Sequence, residues 1–350
     1  MSIRKIKVLI TDDSLLFRNV LKQELSKDSL IEIVGMAIDP IDAEEKINKL
    51  KPDIVTLDVE MPKMNGITFL KKLMKENPTK VVLVSSLNIS VFDALDAGAV
   101  DFVKKPDMTA QNELNTFFLE LRSKIKIAHI ARLKSRIPAS TEASVEKPSI
   151  INTIKLEPVS TQRVIAIGAS TGGTEATLEV LKNLPKETPG ILVTQHMPPG
   201  FTKMYADRLN KICQMEVREA VNGDRLTTGL ALIAPGDKQM RLAKDAKGYF
   251  VRCLEGEKVS GHCPSVDVLF ESVSKAAGAN AIGIILTGMG RDGASGLLLM
   301  KNAGAYTIGQ DQASCVVYGM PKVAYEIGAV QIQSPISDIS NVLIKQLNKK

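Results

Sequence analysis

Short runs of β-branched residues alternate with longer helical patterns over most of this 350-residue chain. A first series contains KVLITDD, SLLFRNVLKQEL, IEIVGMA, PIDAEEKINKL and DIVTLDV, and a second contains RVIAIGAS, GILVTQH, GLALIAPG, AIGIILTGMG and AYTIGQD. This alternation is typical of βα units, in which helices connect buried parallel strands. It predicts an α/β fold. Aromatic residues make up only 4% of the chain and Trp is absent, which agrees with aliphatic sheet cores.

The composition shifts to Lys, Arg, Ser, Thr, Glu and Pro between residues 126 and 160, which predicts a linker that begins with a short helix extension. No internal repeat relates the two series. We therefore predict two separate doubly wound parallel-sheet domains, at residues 1–125 and 161–346. The second is interrupted by a hairpin within LALIAPGDKQMRLAKDAKGYFVRC.

Charge and cysteine usage exclude several classes of protein. The net charge is +6, but both signs are mixed along the chain, which favours an ordinary solvated surface over nucleic-acid binding. The four Cys residues have neither disulfide-framework nor zinc-site spacing. No leader opens the chain, and no apolar run approaches the roughly 18 residues of a membrane span. We expect a cytoplasmic protein with no direct membrane insertion.

Polar side chains follow several strands of the first series. The carboxyl ends of parallel strands meet at one sheet edge, where ligands gather. The residues are Asp12 and Asp13 after KVLIT, Asp58 after DIVTL, Ser85 and Ser86 after VVLV, and Lys105 after VDFV. Clustered carboxylates repel one another unless a hard cation bridges them, which predicts Mg²⁺. Asp58 could then accept a phosphoryl group, with Ser85 and Lys105 contacting its oxygens. Taken singly, Asp13 could be a helix cap, Asp58 a turn residue and Lys105 a solvated charge.

With the DVEMPKMNG stretch and the Lys-Pro step, residues 4 to 122 resemble the receiver domain of bacterial two-component response regulators. The resemblance implies phosphorylation of Asp58. It implies that the backbone carbonyl of Glu60 joins the carboxylates as a Mg²⁺ ligand, and that Phe102 changes rotamer on phosphorylation. Ser86 is an alternative to Ser85 as the hydroxyl partner.

The second series opens with a strand, a Gly-rich turn and a helix pattern, VIAIGASTGGTEATLEVLKNL. The turn matches G-x-S-x-G and exposes the hydroxyl of Ser170 beside backbone N–H groups of a helix start. The same kind of turn also cradles phosphates of nucleotides. The motif alone therefore leaves a hydrolase and a nucleotide-binding domain open.

Two further strand ends favour the hydrolase. His196 follows GILVTQ, and Asp292 lies in the turn after AIGIILT. The two could converge on Ser170 as a general base and an orienting carboxylate. Alternatively, His196 is a satisfied strand-end residue and Asp292 a turn former. A dinucleotide site would favour an acidic residue after the second strand, where Gln195 and His196 stand. The chain order Ser, His, Asp differs from that of α/β-hydrolases.

The stretches IGASTGGT, TQHMPPGFT, LTGMGRDGA and GQDQASCVVYGMP closely resemble the catalytic domain of chemotaxis protein-glutamate methylesterases, over residues 161 to 346. The resemblance implies that Ser170 is the nucleophile, His196 the base, Asp292 the orienting carboxylate and the Met289 N–H an oxyanion donor. It implies demethylation of glutamate methyl esters and deamidation of glutamines on chemoreceptors, with no cofactor in this domain.

The sequence departs from that family at two positions. Its usual APGDxHM and RPSVD patterns read APGDKQM, with Gln239, and CPSVD, with Cys263. Neither change touches the triad, but both could alter substrate fit or a supporting shell. Cys263 and Cys315 are expected to pack rather than to act as nucleophiles, although His262 beside Cys263 leaves a thiol site open.

A receiver ahead of an esterase suggests control by placement, in which the unphosphorylated receiver covers the groove around Ser170. Its partners would be methyl-accepting chemotaxis receptors as substrate and a chemotaxis histidine kinase as phosphodonor, and family resemblance implies a monomer. A transcription regulator is the rival, but the second half is strand-rich and shows no helix-turn-helix with a basic face.

Overall fold

A computed structural model describes residues 4–61, 66–85, 90–107, 111–133 and 163–349 of the chain. It divides into two compact units, Met1–Leu133 and Lys134–Lys350. Each unit is an α/β fold built on a parallel sheet, as the alternation predicts. Among the described residues, no helix combines the length and apolarity that a membrane crossing needs.

The first unit is a five-stranded sheet in the order β2-β1-β3-β4-β5, with every neighbouring pair parallel. Its strands are β1 (Ile6–Thr11), β2 (Ile31–Ala37), β3 (Ile54–Leu57), β4 (Lys80–Ser85) and β5 (Asp101–Lys104). Its helices are α1 (Leu15–Leu25), α2 (Pro40–Leu50), α3 (Gly66–Glu76), α4 (Ser90–Asp96) and α5 (Gln111–Ile130). This is the flavodoxin-like order, and it confirms the predicted fold class of the first unit.

Local signals explain where the first helices begin. Ser14 caps α1 by accepting the N–H of Phe17, and Asp39 caps α2, whose first residue is Pro40. The central strands have no exposed face, because helices cover the sheet on both sides; all four residues of β3 are buried.

The helix α5 runs to Ile130, into the segment predicted as a linker. Residues 134–160 of that segment lie outside the described residues, and the domain limits stay predictions.

The second unit contains a seven-stranded sheet in the order β14-β13-β12-β6-β7-β9-β8, again parallel throughout. Its strands are β6 (Val164–Ala169), β7 (Ile191–Gln195), β8 (Glu216–Glu219), β9 (Leu230–Ile233), β12 (Ala281–Ile285), β13 (Tyr306–Gln310) and β14 (Ile332–Ser334). Its helices are α6 (Gly173–Leu181), α7 (Phe201–Ile212), α8 (Val266–Ala277), α9 (Ala294–Asn302), α10 (Met320–Glu326) and α11 (Ile339–Leu347). This sheet confirms the predicted doubly wound parallel fold of the second unit.

The predicted hairpin is present as the antiparallel pair β10 (Gln239–Asp245) and β11 (Gly248–Leu254). The sequence reasoning missed β8 and β14. Both are short edge strands, and the half-exposed polar letters EVRE of β8 give no apolar run to detect. All five strands predicted in the second series, by contrast, lie within the buried sheet.

Strand order decides where each unit can hold a ligand. In the first sheet the order reverses between β1 and β3, and in the second it reverses between β6 and β12. Ligands of open α/β sheets bind outside the carboxyl ends of the strands at such reversals. The polar residues singled out in the sequence follow strands at or next to these two points, except Lys105, which follows the edge strand β5.

Candidate active site and phosphorylation site

Ser170 follows β6 directly and its backbone is held on both sides. Its N–H donates to the carbonyl of Thr287 at 3.0 Å, and its own carbonyl accepts the N–H of Gly173 at 2.7 Å. The side-chain amide of Gln195 donates to the same carbonyl at 2.9 Å. The side chain is only partly buried. These bonds fix the backbone of Ser170, and the residue remains partly accessible.

Close backbone approach explains the glycines around Ser170. A Cβ on Gly288 would lie 2.7 Å from the Cβ of Ser170 and 2.4 Å from the Sδ of Met320. A Cβ on Gly173 would lie 2.2 Å from the Oε1 of Gln195. All three distances are well below van der Waals contact, so only glycine lets these segments pack against the serine turn.

His196 lies beside Ser170 because of the register between β6 and β7. Ala169 pairs with Gln195 in the parallel ladder, so the next position on each strand brings Ser170 opposite His196. The N–H of His196 continues this pairing by donating to the carbonyl of Ala169 at 3.2 Å. Neighbouring strands are about 4.8 Å apart, which places the two side chains at the same sheet edge.

Asp292 completes the cluster from the turn after β12, the strand on the other side of β6. Its Oδ2 lies 2.7 Å from the Nε2 of His196, and both side chains are buried. The N–H of Val266 donates to Oδ2 at 2.7 Å, while Ser265 Oγ and the N–H of Asp267 donate to Oδ1 at 2.7 and 3.1 Å. Four donors therefore hold one carboxylate.

The environment of Asp292 favours its ionised form. Burial alone would raise the pKa of this carboxyl, but the hydrogen bond and charge of His196, together with the donors Ser265 and Val266, outweigh burial and lower the pKa to about 2. A carboxylate accepts only, so the Nε2 of His196 must carry the hydrogen of their shared bond. The Nδ1 atom is then the proton-accepting nitrogen. It is buried and has no hydrogen-bond partner among the described residues.

The Met289 backbone belongs to a turn that a second segment holds in place. The N–H of Gly288 donates to the carbonyl of Val317 at 3.0 Å, and the Gly288 carbonyl accepts N–H groups of Gly319 and Met320 at 3.1 and 2.8 Å. The side chain of Met289 is 42% exposed. The predicted oxyanion role of its N–H stays a prediction, as do the catalytic roles of the triad residues.

The sequence reasoning missed three residues that contact this cluster. His262 stacks on His196 with ring centroids 3.6 Å apart and an angle of 9° between planes. Ser265 donates to Asp292, and Gln195 supports the serine turn. Ser265 had a detectable signal, since a serine directly before the apolar helix pattern VDVLFESV is typical of an N-cap. His262 had none, because ring stacking between distant segments leaves no local pattern.

Neither Cys263 nor Cys315 shows the features of a nucleophile. Burial raises the pKa of the Cys263 thiol, which disfavours the reactive thiolate. Cys315 is buried. The expectation that both pack rather than react stays consistent with their surroundings.

The acidic cluster of the first unit forms at the reversal between β1 and β3. One carboxylate oxygen from each of Asp12, Asp13 and Asp58 lies within 4.8 Å of the others. Asp12 and Asp58 are buried, and Asp13 is exposed. Oxygen-only donors at this spacing suit a hard cation that keeps part of its water shell, so the residues fit Mg²⁺. The N–H of Glu60 donates to Asp58 at 3.0 Å, which places its peptide unit beside the cluster.

Lys105 bridges the two buried carboxylates. Its Nζ lies 2.8 Å from oxygens of both Asp12 and Asp58. Burial raises the pKa of Asp58, with the Asp12 charge adding to it, although Lys105 acts in the opposite direction. Burial would lower the pKa of Lys105, but its bonds to the two carboxylates outweigh burial and raise it. Lys105 is therefore placed to pair with added negative charge at Asp58.

The remaining predicted switch residues lie next to this cluster. Ser85 ends β4 and is fully buried; its Oγ has no hydrogen-bond partner among the described residues, and its carbonyl accepts the N–H of Lys105 at 2.8 Å. Phe102 is buried on β5, with the Nζ of Lys124 5.2 Å from its ring centroid. Ser86, the alternative hydroxyl, lies outside the described residues.

A flavodoxin-like unit with an acidic cluster at its strand ends, followed by a doubly wound unit with Ser, His and Asp at adjacent strand ends, defines a receiver-linked hydrolase. The family models agree: the response regulator receiver domain matches residues 8–116, and the CheB methylesterase model matches residues 165–343. The chain belongs to the CheB methylesterase family.

Relatives match over the whole length. The protein-glutamate methylesterase/protein-glutamine glutaminase 2 of Syntrophomonas wolfei is 55% identical, over 100% of both chains. The protein of the same name, without the numeral, from Salmonella choleraesuis is 46% identical over 98% of this chain and 97% of its own. The crystal structure of the Thermotoga maritima CheB methylesterase catalytic domain matches with a TM-score of 0.52 and 36% identity, covering 53% of this chain and 98% of that chain. These matches do not support the nucleotide-binding or transcription-regulating alternatives.

Proposed function

We propose that this chain hydrolyses glutamate methyl esters and deamidates specific glutamines on methyl-accepting chemotaxis receptors, under the control of its receiver domain. The observation that carries the proposal is the buried pair of His196 and Asp292, whose Nε2 and Oδ2 atoms lie 2.7 Å apart. The register between β6 and β7 brings His196 beside Ser170. Membership of the CheB methylesterase family and the names of the full-length relatives support the substrate class.

The proposed reaction is acyl transfer in two halves. The Oγ of Ser170 attacks the side-chain carbonyl carbon, and its proton passes to the Nδ1 of His196. A C–O bond forms and the carbonyl electrons move onto an oxyanion, which the N–H of Met289 would stabilise. The bond from the carbonyl carbon to the methoxy or amino group then breaks, and this group takes the proton from His196 and departs as methanol or ammonia. Water repeats the sequence on the acyl-enzyme and releases the glutamate carboxylate.

Asp292 acts through His196 rather than on the substrate. Its ionised carboxylate holds the hydrogen on Nε2 and stabilises the imidazolium that forms when Nδ1 accepts the serine proton. The pKa of Asp292, lowered to about 2, keeps this charge present at all pH values at which the enzyme would work.

In the receiver, Asp12, Asp13, Asp58 and the carbonyl of Glu60 would hold Mg²⁺. The metal would neutralise the charge that gathers on the phosphoryl oxygens. A carboxylate oxygen of Asp58 attacks the phosphorus of a phosphohistidine on the chemotaxis histidine kinase, and the imidazole leaves. Lys105 and the hydroxyl of Ser85 then contact the new phosphoryl group, and Phe102 changes rotamer.

Phosphorylation would relieve inhibition of the groove around Ser170 by the receiver, through the segment of residues 126–160. A cytoplasmic location and a monomeric state complete the proposal. Both follow from the family resemblance and the composition.

The deciding experiment measures methanol release from methylated receptor membranes by the wild type, Ser170→Ala and Asp58→Asn, with and without a small phosphodonor and Mg²⁺. We expect release that requires Ser170 and rises with the phosphodonor only when Asp58 is present. Full release by Ser170→Ala would refute the nucleophile. Activation of Asp58→Asn by the phosphodonor would refute the control mechanism.

A further inference from the structure

The side chain of Gln239 is buried, and both the nitrogen and the oxygen of its amide group form hydrogen bonds. Gln239 begins β10 and is 1% exposed. Its Nε2 donates to the carbonyls of Glu257 and His262 at 3.0 and 3.2 Å, and its Oε1 accepts the N–H of Ser265 at 2.9 Å. One side chain thus holds three backbone groups of a single segment, residues 257–265.

That segment reaches the His196–Asp292 pair at two points. The ring of His262 stacks on that of His196 at 3.6 Å. The Oγ of Ser265 donates to the carboxylate of Asp292 at 2.7 Å. Each member of the pair therefore receives one contact from the segment that Gln239 holds.

The first part of the segment has few other contacts. Residues 257–261 are exposed, and the isolated bridge between Val259 and His262 joins the two ends of this exposed stretch. Exposed backbone with few apolar contacts opens at low free energy. The bonds of Gln239 therefore have a large effect on where the imidazole of His262 lies. Ser265 is also held as the N-cap of α8, and the bond from its N–H to Gln239 adds to that contact.

We propose that Gln239 is a positioning residue for the His196–Asp292 pair, acting through the segment 257–265. This inference rests on the proposed function, in which that pair is catalytic. Gln239 touches neither the reacting atoms nor the pair itself. It keeps the imidazole plane of His196 and the carboxylate of Asp292 in the geometry that the proton transfer needs.

Few side chains could make the three hydrogen bonds that the amide of Gln239 makes. A primary amide offers two hydrogens on nitrogen and an acceptor oxygen, and all three bonds are used here. The histidine that the family usually shows at this position has one donor and one acceptor when neutral, so it can make two of the three. A glutamate would keep the acceptor for Ser265 but place an oxygen against the carbonyls of Glu257 and His262.

The test compares Gln239→Met, which keeps the length and removes every bond, with Gln331→Met as the matched control. Gln331 accepts the N–H of Thr307 near the start of β13, at the opposite end of the sheet from Ser170. In full-length protein with phosphodonor and Mg²⁺, we expect Gln239→Met to lower kcat for methanol release by about 10-fold to 100-fold. KM should stay within about threefold, because substrate contacts are untouched. The control should keep the wild-type kcat.

A spectroscopic readout separates positioning from general damage. The downfield proton resonance of the His196 Nε2–H should shift or broaden in Gln239→Met and remain in Gln331→Met. If Gln239→Met loses its cooperative melt, Gln239→His carries the test, with a smaller loss of kcat and a partly retained resonance.

The inference fails if wild-type release depends on Ser170 while Gln239→Met retains the wild-type kcat and resonance. It also fails if Gln239→Met raises KM alone. If Ser170→Ala releases methanol as the wild type does, the proposed function has failed, and the resonance of the His196 Nε2–H still reports whether Gln239 positions the pair.

Discussion

The Nε2 atom of His196 lies 2.7 Å from the Oδ2 of Asp292, so the carboxylate is bound by the ring nitrogen farther from the backbone. In the common serine hydrolase arrangement the carboxylate binds Nδ1 and the serine faces Nε2. Here the carboxylate binds Nε2 instead, so the proposed mechanism assigns the serine proton to Nδ1. His196 follows β7 directly, while Asp292 approaches from the turn after β12 on the far side of β6.

The first prediction concerns this hydrogen bond. Asp292→Asn keeps the shape of the side chain but removes its charge, so the imidazolium of His196 loses its stabilisation and the tautomer is no longer fixed. We expect kcat for methanol release to fall by about 10⁴-fold with the fold intact. Ser265→Ala, which removes one donor to the same carboxylate, serves as the graded control and should lose far less. Equal losses would contradict the role assigned to the charge.

The second prediction concerns acid stability. The pKa of Asp292 is about 2 in the folded chain and 3.8 ordinarily, so the unfolded chain binds a proton first as the pH falls. The resulting stability, about 2 kcal/mol, is present above pH 4 and is lost as the pH falls towards 2. The neighbouring Asp267 affects acid stability in the opposite direction, because burial and the charge of Asp292 raise its pKa.

Amide hydrogen exchange of β6 and β12 measures this effect within the second unit. Between pH 4 and pH 2.5, Asp292→Asn should lose less opening free energy than the wild type. A parallel loss in both proteins would show that other carboxyls dominate acid unfolding.

The third prediction concerns the acidic cluster. Mg²⁺ that binds only the folded receiver raises its melting temperature by mass action. We expect this rise in the wild type and little or none in Asp13→Asn, which removes the exposed carboxylate of the cluster. Glu32→Gln, at an exposed position on β2, should respond as the wild type does. An undiminished rise in Asp13→Asn would place the metal elsewhere.

The fourth prediction decides between the two serines after β4. The Oγ of Ser85 is buried without a partner among the described residues, so Ser85→Ala should change the free energy of unfolding by less than about 1 kcal/mol. Its phosphodonor-dependent activation should nevertheless fall, because the phosphoryl group would lose a donor. Ser86→Ala is the comparison. If only Ser86→Ala lowers activation, the hydroxyl partner is Ser86.

The fifth prediction concerns the stacked imidazoles. His262→Phe keeps a flat ring over His196 but removes both ring nitrogens, whereas His262→Ala removes the ring. If stacking holds the plane of His196, kcat should fall by about tenfold or more in the Ala variant and less in the Phe variant. The same kcat loss in both would indicate that the nitrogens of His262 matter instead.

Much of this protein follows from local sequence patterns. The alternation of apolar strands and helical segments predicted both parallel sheets, and the hairpin was confirmed at β10 and β11. Residues directly after buried strands were predicted to lie close together, because parallel strands bring their carboxyl ends to one edge. Asp12, Asp58 and Lys105 do lie within hydrogen-bonding distance, as do His196 and Asp292.

The edge strands β8 and β14 could not be predicted in this way, because their short, half-exposed segments bury too little to need an apolar pattern. The residues that support the His196–Asp292 pair could not be predicted from local patterns either. Gln239 was noted only as a departure from the family pattern, and its three bonds were not foreseen.

The sequence by itself determined which residues end each strand, and therefore which side chains can reach a sheet edge. Only the tertiary structure decided which strands are neighbours, which imidazole nitrogen meets Asp292 and which distant segment covers His196. His196 and Asp292 are 96 positions apart, and their contact depends on the order β12-β6-β7. Strand order is set by the packing of the whole sheet and its helices, and no local pattern of residues encodes it.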